Sequence, residues 1–499
     1  MKLTPNLVTW LSLFFVVILF ASLNSESVSG ATPQSYVTVS GTLQATIIDN
    51  FDTGKFITDY YLITDKGVKI DLTDDIAFAS YSPGDRLTVN GYITKNSLSS
   101  TTVTSYSSTS AIPKATGMKR TLVIMVNFPN ETSQPVSYKN LSRLLGIFRH
   151  FAIESSYKQL DMSFDYYGWR TLNFNPRNGC SIEINHVLNN LTGVDTKAYD
   201  YRLIIYPAPV NCTSFAYYDA YYSTIAIQGQ NFINRWDDFT LHVFAHEFGH
   251  AFGYLAHANF LNCSTEIDSD PNCGYEEYGD PFDPLGKWRY LQHYSAYIKN
   301  VFGWMNGTRI KDVHMPGIYA LGAYEITDSN SRALRISRKF GTNDLDYLYL
   351  EYRKPIGFDT SIGAKPVVNS ILVHINQILP LKLPLSSRMQ FSSGLIDTTP
   401  TVPESRLDPA LKYGKKFRDK NLEVAFIYKD DRRAYIAVQY FCEDGTALGQ
   451  CSTSKPNYCD YSTGSANHIN KCSACGCPSG YACRADESCS RIIFQSAET

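Results

Sequence analysis

Residues 246–257 read His-Glu-Phe-Gly-His-Ala-Phe-Gly-Tyr-Leu-Ala-His, and no other stretch restricts the fold so tightly. His246 and His250 are four residues apart, which on a helix sets both imidazoles on one face, one turn apart. Two imidazoles so placed can share one Zn²⁺ at about 2.0–2.1 Å each. Glu247 then projects beside the metal and not onto it, where it can take a proton from water that the metal activates. Gly253 is expected to end the helix in a left-handed conformation, with His257 just beyond it swinging back as third ligand. The preceding run, 239–246, has helix-forming character, with Leu241, Phe244, Ala245 and Phe248 as its apolar positions. A bare HExxH can arise by chance, so this context matters. His242 lies on the same stripe and is read as a neighbour of the ligands rather than a ligand.

The chain has 499 residues, too many for one core, so two to four domains are expected. Its 45 basic and 47 acidic residues leave a net charge of −2, which gives no sign of nucleic-acid binding. Lys2 precedes an apolar run from Leu7 to Leu23, and small polar residues follow through Ala31. That pattern fits a secretory signal over residues 1–30, with an uncleaved membrane anchor as the alternative because the run approaches spanning length. No later run is long enough to span a bilayer, so no stable membrane span is expected after signal cleavage. Asn-x-Ser/Thr acceptors at Asn130, Asn140, Asn190, Asn211, Asn262 and Asn306, with 12 cysteines, suit a secreted glycoprotein with persistent disulfides.

Residues 31–113 alternate in short β-like runs punctuated by turn residues, which predicts a small β-barrel-like domain, OB-like and serving as a prosegment or packing module. From residue 114 to 310 the pattern is mixed. Residues 120–128 read as a strand buried on both faces, and 137–156 as a helix with Leu141, Leu144, Leu145, Phe148 and Phe151 on one stripe. Residues 201–207 read as a second buried strand. Residues 223–229 read as an edge strand to which a peptide substrate could add itself through main-chain hydrogen bonds. Residues 311–441 return to β patterning, expected as a β-sandwich-like domain. The resulting expectation is an α+β chain, with a twisted sheet and an active-site helix flanked by β-rich units.

Residues 442–499 hold Cys442, Cys451, Cys459, Cys472, Cys475, Cys477, Cys483 and Cys489 amid few apolar residues. Covalent links must replace a core there, although eight cysteines permit 105 pairings. Cys472-Ser-Ala-Cys475-Gly-Cys477 also admits reading as a second metal site, which an oxidising compartment disfavours.

Around the zinc helix the chain resembles the gametolysin family of secreted, metzincin-like zinc peptidases. The resemblance rests on an ordered set of segments within about 119–440: Ser155-Ser-Tyr-Lys-Gln-Leu-Asp-Met-Ser-Phe, the HExxH helix, Glu277-Tyr-Gly-Asp-Pro-Phe-Asp-Pro-Leu-Gly286, His293-Tyr-Ser-Ala, Phe302-Gly-Trp-Met, and Tyr349-Leu-Glu-Tyr-Arg-Lys-Pro-Ile-Gly-Phe-Asp359. It implies His246, His250 and His257 as zinc ligands and Glu247 as general base. Two departures stand out. The family spacing is HExxHxxGxxH, whereas here Ala256 holds the expected third-ligand position and His257 comes one residue later. Asp268 or another downstream carboxylate is the alternative third ligand. Leu285 stands where the family's turn beneath the metal carries Met, a near-isosteric exchange with an expected cost below about 1.5 kcal/mol. Cys263 and Cys273 flank an acidic loop that a disulfide would pin, leaving Cys180 and Cys212 as a pair. That loop, with Asp280 and Asp283, could hold Ca²⁺, though a capped turn fits its spacing better.

These readings imply a secreted zinc endopeptidase acting on proteins or peptides, with no nucleic-acid partner. By the resemblance, its targets are extracellular matrix or cell-wall glycoproteins. No cysteine precedes Cys180, so a prosegment thiol cannot block the metal, and any latency must come from another group. The rival is a secreted binding or adhesion protein that retains a degenerate protease domain.

Overall fold

A computed structural model describes residues 35–492 except 74–77, 79–80, 109–113, 177–180, 209–211, 213, 234, 264–273, 288–289, 329, 339–346, 377–391, 400–407, 420 and 462–465. Residues 1–30, expected to be a signal segment, together with Asp268 and the cysteines Cys180 and Cys273, therefore lie outside the described residues.

The chain is mixed α+β and rich in strands. Its first strand, β1 (Ser35–Asn50), alternates strictly from Gly41 onward, burying Gly41, Leu43, Ala45, Ile47 and Asp49 while the intervening residues stay partly exposed. This period of two sets one face of a strand against a core. β2 (Lys55–Thr64), β3 (Lys69–Leu72), β4 (Arg86–Thr94) and β5 (Ser97–Ser107) follow. They pair in the order β2-β3-β5-β4-β1, and β1 also pairs with β2, so the five strands close on themselves around Leu43, Tyr60, Leu62, Phe78, Leu87 and Val89.

The far end of β1 does not stay in that ring. Thr46 to Asn50 pair antiparallel with β9 (Phe215–Asp219), joining the first five strands to β9, β10 (Thr224–Gln228), β8 (Tyr201–Tyr206), β6 (Gly117–Asn127) and β7 (Leu160–Thr171) in one ten-stranded sheet. β6 is buried continuously from Thr121 to Asn127, as a strand flanked by parallel neighbours and covered on both faces must be. Against the expectation from sequence, β10 is no edge. It lies between β8 and β9 with all five residues buried, and β9 is the strand that β1 covers.

Two long helices lie on this sheet. Helix α1 (Tyr138–Ser155) starts at Ser137, whose Oγ accepts from the Asn140 amide, and buries Leu141, Leu144, Leu145, Phe148 and Phe151. Helix α2 (Asp237–Gly253) is buried on every side from Phe239 to Gly253, which is why its sequence carries so little amphipathic contrast. The Phe148 and Phe248 rings, 4.9 Å apart, key the helices together.

After α2, β11 (Ala258–Asn262) and β12 (Gly274–Glu276) join a seven-stranded sheet that runs on through β13 (Ile310–Val313), β15 (Ala333–Ser337), β16 (Tyr347–Tyr352), β17 (Ile371–Asn376) and β18 (Ser393–Ile396). A four-stranded sheet of β14 (Gly317–Gly322), β19 (Lys416–Asp419), β20 (Leu422–Lys429) and β21 (Arg433–Tyr440) faces it across Leu334, Leu350, Val373, Val424, Phe426 and Ile436. The C-terminal segment is held by disulfides 442–459, 451–475, 472–483 and 477–489, so Cys472, Cys475 and Cys477 are bonded sulfurs and not metal ligands. Cys212 and Cys263 are also disulfide-bonded. Such bonds suit an extracellular compartment. Among the described residues, no helix is long and apolar enough to cross a membrane.

Candidate metal centre

Helix α2 presents His246 and His250 on one face, as their spacing requires, with ring centroids 4.8 Å apart. The helix ends differently from the sequence expectation. Gly253 remains helical, and Tyr254 takes the left-handed conformation (φ 52°, ψ 37°), its amide bonded to the His250 carbonyl at 2.9 Å. Gly253 serves packing instead: a Cβ there would stand 3.1 Å from Phe302 and Val301 side chains. The reversal at Tyr254 absorbs the extra residue before the third histidine. It brings His257 back to 5.1 Å from His250, centroid to centroid, and points Ala256 away toward Ile47 of β1.

The outer nitrogens are tied down. His246 Nδ1 is 2.9 Å from the Pro284 carbonyl and His250 Nδ1 is 2.6 Å from the Leu255 carbonyl. A carbonyl can only accept, so each Nδ1 carries the proton and each Nε2 keeps a lone pair turned inward. Leu285 lies beneath the helix, fully buried, close enough that a Cβ at position 249 would stand 2.9 Å from its Cδ2. Its carbonyl accepts from the Ala258 amide at 2.8 Å, which fixes the start of β11.

The fourth member of the cluster comes from the other end of the chain. Asp49, at the end of β1, sets its Oδ1 3.0 Å from His257 Nε2 and its Oδ2 3.4 Å from both His246 Nε2 and His250 Nε2. Tyr278 donates its hydroxyl to Asp49 Oδ1 and lays its ring on His257, centroids 3.9 Å apart. Asp49, His246, His250 and His257 are all buried, and one donor atom from each lies within 4.8 Å of the others. His246 Nε2, His250 Nε2 and Asp49 Oδ2 have no hydrogen-bond partner. Buried polar atoms left unpaired are costly, and three imidazole nitrogens with a carboxylate are a zinc-type donor set, so the residues present fit a divalent metal.

The electrostatics agree. Burial depresses His250 to about 4, keeping it neutral as a ligand must be. Burial alone would lower His257 too, but Asp49 and Glu277 outweigh it and raise it to about 9. Burial would conversely raise Asp49, yet the His257 and His246 imidazoles hold it well below the carboxylate range. Without a cation, Asp49 and His257 thus form a buried ion pair, and a metal would take the place of the His257 proton. Glu247 has neither carboxylate oxygen hydrogen-bonded, and burial, then Asp49, push its carboxyl well above the usual glutamate value. A bound cation acts in the opposite direction.

His242 stays outside the cluster, its centroid 5.9 Å from that of His246, and burial keeps it neutral. Asp280 and Asp283 cap turns: Asp280 accepts from the Phe282 amide, and Asp283 from those of Leu285 and Ser295. Sequence reasoning missed Asp49 and Tyr278. The signal for Asp49 was a carboxylate at the next inward position after Gly41, Leu43, Ala45 and Ile47, where an apolar residue is expected.

No family model and no curated protein matches the chain. Among solved structures, it is similar to archaemetzincin from Methanopyrus kandleri, at 11% identity over 37% of this chain and 94% of that one, with a TM-score of 0.21.

Proposed function

We propose that this chain is a secreted zinc endopeptidase of the gametolysin type, hydrolysing peptide bonds of extracellular proteins. One observation carries the reading: three buried imidazoles, two with unpartnered inward nitrogens and the third paired with Asp49, converge beside a buried, unpartnered Glu247. A zinc ion held there would supply Lewis acidity toward a substrate carbonyl and would lower the pKa of water at the site. Glu247 accepts the proton of the attacking water and hands it to the leaving amine, so no covalent adduct with the protein forms. His246, His250 and His257 would hold the metal. Their backbone carbonyl partners Pro284 and Leu255 fix the two helix imidazoles in the liganding tautomer.

A second reading rests on Asp49. A four-ligand set with no open position is the form of a structural zinc site, which would suit a binding protein. Against it stands Glu247, whose buried and unpaired carboxylate contributes nothing to stability and has a purpose only beside reacting substrate. Metal content and casein hydrolysis, measured with and without a chelator on the intact chain and after N-terminal trimming, decide between them. Stoichiometric zinc with chelator-sensitive hydrolysis supports the peptidase. Stoichiometric zinc with no hydrolysis in either form supports the binding protein.

A further inference from the structure

Asp49 is not an isolated intruder, because the whole β1–β2 hairpin is built onto the metal centre. Phe51, just past Asp49, sets its ring edge-on to His246 with centroids 5.2 Å apart, and Phe56, opening β2, does the same to His257 at 4.5 Å. Ile47 packs on Ala256 within the reversal that delivers His257. At the tip, Asp52 accepts from the Ser214 amide at 2.9 Å and pairs with Arg235 at the approach to α2. Both sides of the turn are thus anchored, and the three ligating imidazoles are covered from one direction by one hairpin.

The same strand covers the sheet edge. Without β1, β9 would be the outermost strand of the block β9-β10-β8-β6-β7, a row of backbone groups to which an extended peptide could add itself. Thr46 to Asn50 occupy that row in antiparallel register, Thr46 opposite Asp219 and Asn50 opposite Phe215. The strand therefore does two things within five residues: it pairs like a bound peptide and presents a carboxylate to the metal ligands. The tip does not fill the space beyond, where a cavity of about 350 Å³ runs between Phe51, Thr53, His242, Glu276, Tyr278 and Lys287.

We propose that the β1–β2 hairpin is a tethered inhibitor: Asp49 takes the coordination position that water and substrate need, and β1 takes the edge of β9 where the substrate backbone would pair. The inference rests on the peptidase reading for its biological meaning, but its core statement, that Asp49 closes the metal to outside ligands, is independent of it. The chain is then a self-inhibited precursor, activated when the hairpin leaves. The blocking group is then the Asp49 carboxylate and not a thiol, since no cysteine precedes Cys180.

The test uses the full-length protein loaded with Co²⁺ in place of zinc, as wild type, Asp49→Ala and Asp49→Asn. Acetohydroxamate, a small bidentate metal ligand, is titrated in while the visible d–d bands of cobalt are recorded, and hydrolysis of a quenched fluorescent peptide is followed in parallel on the zinc forms. In wild type the cobalt bands should be nearly indifferent to acetohydroxamate. Asp49→Ala should bind it at least about tenfold more tightly, because apparent affinity scales with the fraction of molecules whose site is open. Asp49→Asn keeps the side-chain shape, guarding against a variant that misfolds, and should fall between the two. Peptide hydrolysis should rise in the same order. If wild type and both variants take up acetohydroxamate with equal affinity, or if Asp49 variants bind it no better while retaining cobalt, the hairpin is not an inhibitor. If Asp49→Ala opens to acetohydroxamate but cleaves no peptide even after N-terminal trimming has removed β1 from the edge of β9, the inhibitory contact stands and the peptidase reading fails.

Discussion

Asp49 Oδ1 lies 3.0 Å from His257 Nε2 across a sequence separation of 208 residues. The contact joins β1 to the histidine beyond the end of the site helix, so His257 is held both by the reversal at Tyr254 and by a distant carboxylate. This bears on the one irregular feature of the motif. With Tyr254 left-handed, the extra residue places His257, not Ala256, in the cluster. His257→Ala should therefore lower zinc affinity by more than the roughly 10–100-fold typical of losing an outer partner of a ligand. Zinc retention against a competing chelator checks this, and unchanged retention would move the third ligand elsewhere.

Glu247 makes a separate prediction, because it is near the donor set without belonging to it. Glu247→Gln preserves volume and removes the proton acceptor, so zinc content should stay at wild-type level in both intact and trimmed protein. Hydrolysis by the trimmed form should drop by at least about 10²-fold, the scale at which a positioned acid–base group contributes. Parallel loss of zinc would instead make Glu247 a structural ligand.

Much of this site was legible locally, and the division is physical. The i, i+4 spacing of His246 and His250 sets a helix face by itself, and the apolar stripe of α1 is likewise a matter of period. What could not be read was pairing between distant strands. Residues 224–228 look like an edge because they are short and bounded by turns, yet the neighbours that bury them come from 201–206 and 215–219. Asp49 was missed for the same reason: its inward parity on β1 is visible, but not what that face meets. The helix end was misread because glycine is the commonest left-handed residue, whereas Gly253 is needed for its missing Cβ against Phe302 and Tyr254 makes the turn.

Gly249 and Leu285 offer a packing test. A Cβ at position 249 would lie 2.9 Å from Leu285 Cδ2, closer than real Cβ contacts run, and a tight 3.1 Å from Tyr294. Helix propensity favours Ala over Gly by roughly 0.5–1 kcal/mol, but overpacking a tight core costs about 1–3 kcal/mol, so the clash should win. Gly249→Ala should lower stability and loosen the metal site. Adding Leu285→Ala opens the space, and the double variant should be less destabilised than the two single effects added together. Thermal melts of the four proteins measure the coupling; strict additivity would show that Leu285 does not press on α2.

Lys299 gives a pH-dependent prediction away from the metal. It lies in helix α3 (Ala296–Val301), fully buried, with Nζ 3.0 Å from His293 Nδ1, 3.3 Å from the Tyr157 hydroxyl, and over the Tyr157 and Tyr324 rings. Burial depresses its ammonium to about 7, partly offset by Asp359, Glu351 and Glu325, while Arg353 acts with burial. In the unfolded chain a lysine titrates near about 10.4. Between these values the unfolded state binds more protons than the folded one, so this group makes stability rise with pH from about 7 to about 10, and its contribution is lost as pH falls through the folded value. The slope it adds is at most about 1.4 kcal/mol per pH unit, the limit for one proton. Lys299→Met keeps the length and apolar contacts and removes the titration, so its stability relative to wild type should fall steadily across that window. Denaturant unfolding of both proteins at pH 7, 8 and 9 measures the difference; a difference that stays constant with pH would show that Lys299 is charged in the folded protein, stabilised by Asp359 and Glu351 in spite of its burial.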